Sequence, residues 1–317
     1  MVIDRINTAV IRAHPVAEGV SIRVGSAEAC AVHGRANTIE ISVHRVRPSV
    51  RDTLERVPLV RGIVRLFAIP SDLFRAMRRG ERLRPREICR GSPFVRRFAS
   101  LFQTTPTKLY ALLDILAALA LIPAVMWLLP ELVEALLLRM PDLTRMAVNV
   151  VCCMFRALGF ILSAYAISRL RIFRRISEYH SAAKKVINAY EIYGENFTDD
   201  EVWHTSFASD HSDMAFILIT AVLWIVAFAF LRPEGLLIGA LRRLGLALAV
   251  TAVYNEIHML LENAKPSGLI RKLRKPMEHM ELVCALEPSD DMIEAAVHAF
   301  NAAYESDQEE KDTRREG

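Results

Sequence analysis

Apolar positions are not spread evenly along this chain; they gather into long runs separated by densely charged stretches. Four runs reach or approach the ~20 residues a helix needs to cross a bilayer. They are "LYALLDILAALALIPAVMWLL" at 109–129, "MAVNVVCCMFRALGFILSAYA" at 146–166, "MAFILITAVLWIVAFAFL" at 214–231, and a less sharply bounded one within 236–261, "LLIGALRRLGLALAVTAVYNEIHMLL". Asp114 lies near the start of the first run and Arg156 in the middle of the second, while the third has no charge. Only "RPEG" separates the third run from the fourth, and its Pro233 and Gly235 suit a tight reversal, so an antiparallel hairpin is expected there. The pattern predicts an α-helical integral membrane protein with four transmembrane helices.

Outside the runs the periodicity changes. "TIEISVHRV" at 38–46 alternates Ile39, Ile41 and Val43 with Glu40, Ser42 and His44, a period of two that reads as a strand. "GRAN" before it supplies a reversal and "ACAVHG" a partner strand, so a small hairpin or meander is expected. In 53–79, Leu59, Val60, Ile63, Val64 and Phe67 form one apolar stripe, Pro70-Ser71-Asp72 is expected to interrupt and recap the chain, and Leu73, Phe74 and Met77 follow among arginines. Such a pair of helices suits the inner headgroup layer, or packing on the hairpin. Near the end, Pro288, Ser289 and the acids after them start an amphipathic helix carrying Ile293, Ala296, Val297, Phe300 and Tyr304. The last residues, "ESDQEEKDTRREG", have no apolar member and read as a disordered tail.

Composition agrees with this division. The chain of 317 residues is 52% hydrophobic and 24% charged with a mean hydropathy of +0.23, above the balance of soluble domains. Residues 1–100 hold nineteen Arg, no Lys and nine Asp or Glu. Beside membrane spans, the partner such a region implies is the anionic inner leaflet rather than nucleic acid. Short-loop Lys and Arg decide orientation. Arg90, Arg96, Arg97 and Lys108 precede the first run; Arg169, Arg171, Arg174, Arg175, Lys184 and Lys185 follow the second; Lys265, Arg271, Lys272, Arg274 and Lys275 follow the fourth. All fall on one side if there are four crossings and both termini are cytoplasmic. The expected organisation is therefore a basic cytoplasmic region over 1–107, spans in 108–168 and 214–261, a cytoplasmic loop over 169–213 and a cytoplasmic end over 262–317. No CxxC, GxGxxG, P-loop, HExxH or GxSxG occurs, so thioredoxin-like, nucleotide-binding, zincin and esterase readings have no support.

Four stretches in order carry a resemblance: "PVAEGVSIR" at 15–23, "VPLVRGIVRLF" at 57–67, "YHSAAKKVINAYE" at 179–191 and "LEPSDDMIEAAVHAF" at 286–300. In order, spacing and placement of apolar runs, the chain resembles the YqhQ-like family of bacterial membrane proteins, sometimes described as predicted metal-dependent enzymes. The resemblance implies a cytoplasmic-membrane protein and no established activity. The family's central motif runs Y-H-G-A-E-H-K-T-I-N-x-Y-E. Here Tyr179, His180, Lys185, Ile187, Asn188, Tyr190 and Glu191 stand at its positions, while Ala183 replaces the glutamate and Lys184 the second histidine. A second motif, roughly H-S-R-x-H-P-R-C-G-T-S-F, corresponds to "WHTSFASDHSDM" at 203–214, which keeps His204, Asp210, His211 and Asp213 without the family's spacing.

Converging imidazole and carboxylate donors are what a zinc or iron site requires, so His180, His204, Asp210 and His211 are the candidate ligands. A protonated Lys184 one turn from His180 opposes a divalent cation, which favours a degenerate site; Lys184 could instead hold a lipid phosphate. Inside the second run, Arg156 costs ~2.5–3.5 kcal/mol at mid-membrane and calls for a partner. Glu256, flanked by Asn255 and His258, is the candidate; snorkelling is the alternative. The expected function is a non-catalytic scaffold or assembly factor with a protein partner on its cytoplasmic face. Alternatives are a metal-dependent membrane enzyme with its site in the loop, or a small transporter using Arg156 and Glu256.

Overall fold

The computed structural model describes residues 11–34, 38–46, 54, 57–83, 97, 106–125, 129–137, 139, 144–195, 197–208, 213–230, 236–263 and 268–316. Four strands, β1 (Arg12–Val16), β2 (Gly19–Val24), β3 (Ala27–His33) and β4 (Ile39–Arg45), form an antiparallel sheet in the order β1-β2-β3-β4. Val16 pairs with Gly19 and Val24 with Ala27, so two-residue turns close the first two hairpins. Both need left-handed backbone, supplied by Glu18 at φ 55° and Gly25 at φ 57°.

The helices, in chain order, are α1 (Val60–Arg82), α2 (Pro106–Pro123), α3 (Leu129–Leu137), α4 (Arg145–Ser168), α5 (Arg171–Tyr193), α6 (Asp199–His204), α7 (Asp213–Phe228), α8 (Leu236–Asn263), α9 (Gly268–Cys284) and α10 (Asp290–Glu316). They divide into a sheet layer and an apolar layer. On one face of the sheet, Val20, Ile22, Val24, Ala29 and Ala31 pack with Tyr179, Val186 and Tyr190 of α5 and Ile293, Ala296 and Phe300 of α10. On the other, Val16, Cys30 and Val32 meet Ala76 of α1. The alternation along β2 and β3 thus feeds two cores at once.

α4, α7 and α8 make most of the apolar layer, with α7 packed against both others. α7 runs antiparallel to α8: Phe216 stacks on Tyr254 at 5.4 Å, and further along Trp224 Nε1 donates to the Ala247 carbonyl at 3.0 Å. The "RPEG" reversal itself lies outside the described residues.

The expectation of four transmembrane helices is not met. Among the described residues two helices are long and apolar enough to cross a membrane, Met146–Ser168 and Leu241–Leu261. The described parts of the first run are α2, which ends at Pro123, and α3, which has Pro130 in its first turn; residues 126–128 lie outside the described residues. The third run yields the 16 residues of α7, about 24 Å of helix against a hydrocarbon core of ~30 Å.

Two further expectations change. The chain does not break at Pro70, because α1 is continuous through it. Proline costs one intrahelical bond there, and the Ser71 hydroxyl donates to the Ala68 carbonyl at 2.8 Å close by. The C-terminal residues are helical to Glu316. Asp307 ties that helix to the sheet by accepting from the Ser26 N–H at 2.8 Å and the Ser26 hydroxyl at 2.9 Å.

Candidate functional site

The motif stretch falls on α5, whose start is fixed from another element and whose end is fixed by its own glycine. No side chain of its own caps the start; Asp114 of α2 reaches over, and its Oδ2 accepts from the Ile172 N–H at 2.8 Å. The lone charge of the first apolar run is therefore a helix cap borrowed across elements. Gly194 at φ 80° closes the other end, its N–H donating to the Tyr190 carbonyl at 2.9 Å. From Ser177 to Tyr190 every residue of α5 except His180 is buried.

Its polar residues bind protein groups. The Tyr179 hydroxyl meets His33 Nδ1 at 3.0 Å. Lys185 Nζ donates to the Trp203 carbonyl at 3.0 Å and pairs with Glu287 at 2.6 Å. Asn188 Nδ2 donates to the carbonyls of Ser206 at 2.7 Å and Ala208 at 3.2 Å. Tyr190 packs on Phe300 at 5.1 Å and Tyr304 at 5.8 Å, and burial pushes its hydroxyl pKa up. Glu191 is exposed, and Lys184 is buried. Ala183, where the family motif has glutamate, sits inside the apolar core.

Two of the four candidate metal ligands, His180 and His204, are described. His180 is half-buried on α5. His204, at the end of α6, is 78% exposed and 3.5 Å from Asp200. Asp210 and His211 lie outside the described residues. Among the described residues no three His, Cys, Asp or Glu side chains gather where they could hold an ion.

Two polar clusters appear that the sequence reading did not assemble. One joins the sheet to α5: Arg175 donates to both Glu18 oxygens at 2.8 Å and approaches Glu178 at 3.5 Å, and Arg174 pairs with Glu178 at 2.8 Å. Glu18 is 1% exposed, and Glu28 likewise pairs with Arg79 of α1 and accepts from Ser21 at 2.7 Å.

The second cluster lies where α1 crosses α7 and α8. Arg61 is bonded to Glu256 through Nε at 2.8 Å and through a shorter second contact, and the Leu59 N–H donates to the same carboxylate at 2.9 Å. Arg65 lies 4.5 Å over the Phe216 ring and 3.5 Å from Nδ1 of His258. Asn255, Thr251 and His258 are buried beneath. Gly62 permits this approach, since a Cβ there would meet that of Asn255 at 2.7 Å. Glu256 is thus engaged by Arg61, not by Arg156, which is half-buried on α4 and shares the surroundings of Cys152 with Glu134 of α3. A glycine inside the apolar stripe of "VPLVRGIVRLF" was the readable sign of a close helix approach.

The stretch from Val57, just ahead of Leu59 and Arg61, to the middle of α10 takes in α5 and the Arg61–Glu256 cluster. Residues 57–306 match the family model described as "Protein of unknown function (DUF1385)". The chain belongs to this family. A relative, "Uncharacterized protein YqhQ" of Bacillus subtilis (strain 168), is 26% identical over 144 residues, 45% of this chain and 44% of that protein. The matched segment therefore spans under half of the relative. At 26% identity this is a divergent YqhQ-like member. No solved structure matches. Neither description names a reaction or a metal, so the metal-dependent enzyme reading gains no support from them.

Proposed function

We propose that this chain is an integral protein of the bacterial cytoplasmic membrane that works as a non-catalytic scaffold or assembly factor, with the sheet, α1, α5, α10 and both termini on the cytoplasmic side. The observation that carries the membrane part is exposure. Only 22% of the α4 span and 33% of the α8 span are buried, whereas the core helix of a soluble protein would be mostly covered. Met146, Met154, Leu158 and Leu162 form an uncovered apolar row along α4, a surface that water does not stabilise and lipid does. Arg169, Arg171, Arg174 and Arg175 at the sheet end of α4 support a cytoplasmic sheet layer.

The scaffold part rests on what the motif's polar groups do. Lys185 and Asn188 hold the 203–208 segment against α5, so their hydrogen bonds go to architecture. The transporter reading through an Arg156–Glu256 pair has less behind it, because Arg61 and the Leu59 N–H already satisfy that carboxylate.

Two measurements test this. The chain should remain in the membrane pellet after alkaline carbonate extraction; release into the supernatant would refute integral insertion. Detergent-purified protein should contain no stoichiometric zinc or iron. Either metal at one equivalent, lost in both His180→Ala and His204→Ala, would replace the scaffold reading with a metal-dependent one.

A further inference from the structure

α1 has an outward face that neither the sheet nor α8 covers, and its chemistry changes along its length. At the start stand Val60, Ile63, Val64 and Phe67; further on come Phe74, Arg75, Arg78 and Arg82, with Glu81 as the acid among them. Phe67 is 63% and Phe74 60% exposed. Arg78 lies 5.2 Å over the Phe74 ring, and Arg75 pairs with Asp72 at 3.5 Å while staying 60% exposed. The remaining arginines of the helix face inward, Arg61 to Glu256, Arg65 to the Phe216 ring and Arg79 to Glu28.

The direction of this gradient is fixed by α8. Gly62 lies against Thr251, Ala252 and Asn255, and the guanidinium of Arg65 reaches His258 at 3.5 Å. The start of α1 is level with residues six to ten short of Leu261, where the apolar segment of α8 ends. At 1.5 Å per residue that is roughly 9–15 Å inside the segment's end. The end of α1 lies on the sheet, where Gly80 touches Val16. The uncovered face is thus apolar at the deep end and arginine-bearing at the shallow end, with Val57 and Leu59 adding exposed apolar groups at the deep end.

We propose that this face of α1 is a seat for anionic phospholipid: Val60 to Phe67 enter the acyl boundary beside α8, and Phe74, Arg75, Arg78 and Arg82 lie among the phosphates. The idea rests on the membrane reading above and adds a helix that slants into the leaflet and selects its headgroups. Aromatic rings at the boundary and guanidinium forks on phosphate oxygens are the chemistry this order of residues supplies.

The test uses the full chain in bilayer discs of phosphatidylcholine, with and without phosphatidylglycerol, carrying a benzophenone side chain at position 67, 74, 158 or 298. Positions 67 and 74 should yield lipid adducts on illumination, position 158 on α4 should do so as a bilayer control, and 298 on α10 should not. In mixed discs the adducts at 74 should be enriched in phosphatidylglycerol, and the triple change Arg75→Gln, Arg78→Gln, Arg82→Gln should lower that enrichment on the order of fivefold. Adducts at 67 and 74 to this chain itself or to a second copy, or adducts with no headgroup preference, would overturn the proposal. Loss of lipid adducts at 158 as well would instead overturn membrane insertion.

Discussion

At the residue scale, the charges that matter are those whose partners lie far away in sequence. Glu18 sits in a two-residue turn, and nothing local marks it as buried; only the fold brings Arg175 to it across 157 positions. Removing one member of a buried pair leaves the other uncompensated. Glu18→Ala should therefore cost about 2–4 kcal/mol, held to the lower part of that range by the partial exposure of Arg175. Glu18→Gln, which keeps one acceptor, should cost less, and thermal unfolding in detergent would rank the two. Cys30 makes a second case. Burial first, and Glu28 second, push its thiol up to about 12, and burial pushes Cys284 up to about 11. Neither thiolate is populated near pH 8, so folded protein should leave both unmodified by iodoacetamide and denatured protein should not. Mass spectrometry of the alkylated peptides decides it, and rapid labelling of Cys30 in the folded chain would contradict the packing described.

At the element scale, legibility followed the range of the forces involved. Strand alternation in 38–46 and the amphipathic stripe from Ile293 to Tyr304 are local patterns, and β4 and α10 appear where those patterns lie. The failures are non-local. Pro70 reads as a break until the sheet and α8 hold both halves of α1 in line, and the polar end of α10 reads as a tail until Asp307 finds the β2–β3 turn. Within the histidine motif, what the sequence does not reveal is that α5 gives Lys185 and Asn188 to backbone carbonyls of the 203–208 segment. Asp307 also predicts a pH response. Burial raises its pKa, but the Lys311 bond and the Ser26 N–H and hydroxyl outweigh that and hold it below the ordinary 3.8. A carboxylate depressed in the folded state contributes stability that is full above its unfolded value and drains as pH falls through the folded one. Asp307→Asn should therefore destabilise the protein at pH 7 and make progressively less difference as pH falls from about 5 to below the folded pKa. Unfolding midpoints of both proteins across that range would check it; a gap that widens in acid would reverse the assignment.

At the scale of the whole molecule, three of the joints between the two layers among the described residues lie in the sheet-facing half of the apolar helices. Asp114 caps α5 from α2, Arg61 and Gly62 bind α1 to α8, and Arg274 donates to the Leu261 carbonyl at 3.1 Å through Nε, closing the end of α8. Both α4 and α8 reach the sheet layer with their C-terminal ends, so their first residues lie about 30 Å or more away on the opposite side. An arrangement with these joints in the sheet-facing half and exposed apolar helix faces leading away from it has a sidedness that can be measured. A cysteine at Thr144, just before α4, and one at Asp312, on the last turns of α10, should differ in reach. Applied to intact spheroplasts, a charged membrane-impermeant maleimide should label Thr144→Cys above the parent protein and leave Asp312→Cys at the parent's level. Permeabilisation should then bring Asp312→Cys up to full labelling. Equal labelling of the two in intact spheroplasts would mean that the apolar helices do not separate the layers by a bilayer, and the uncovered face of α4 would then need a protein to cover it.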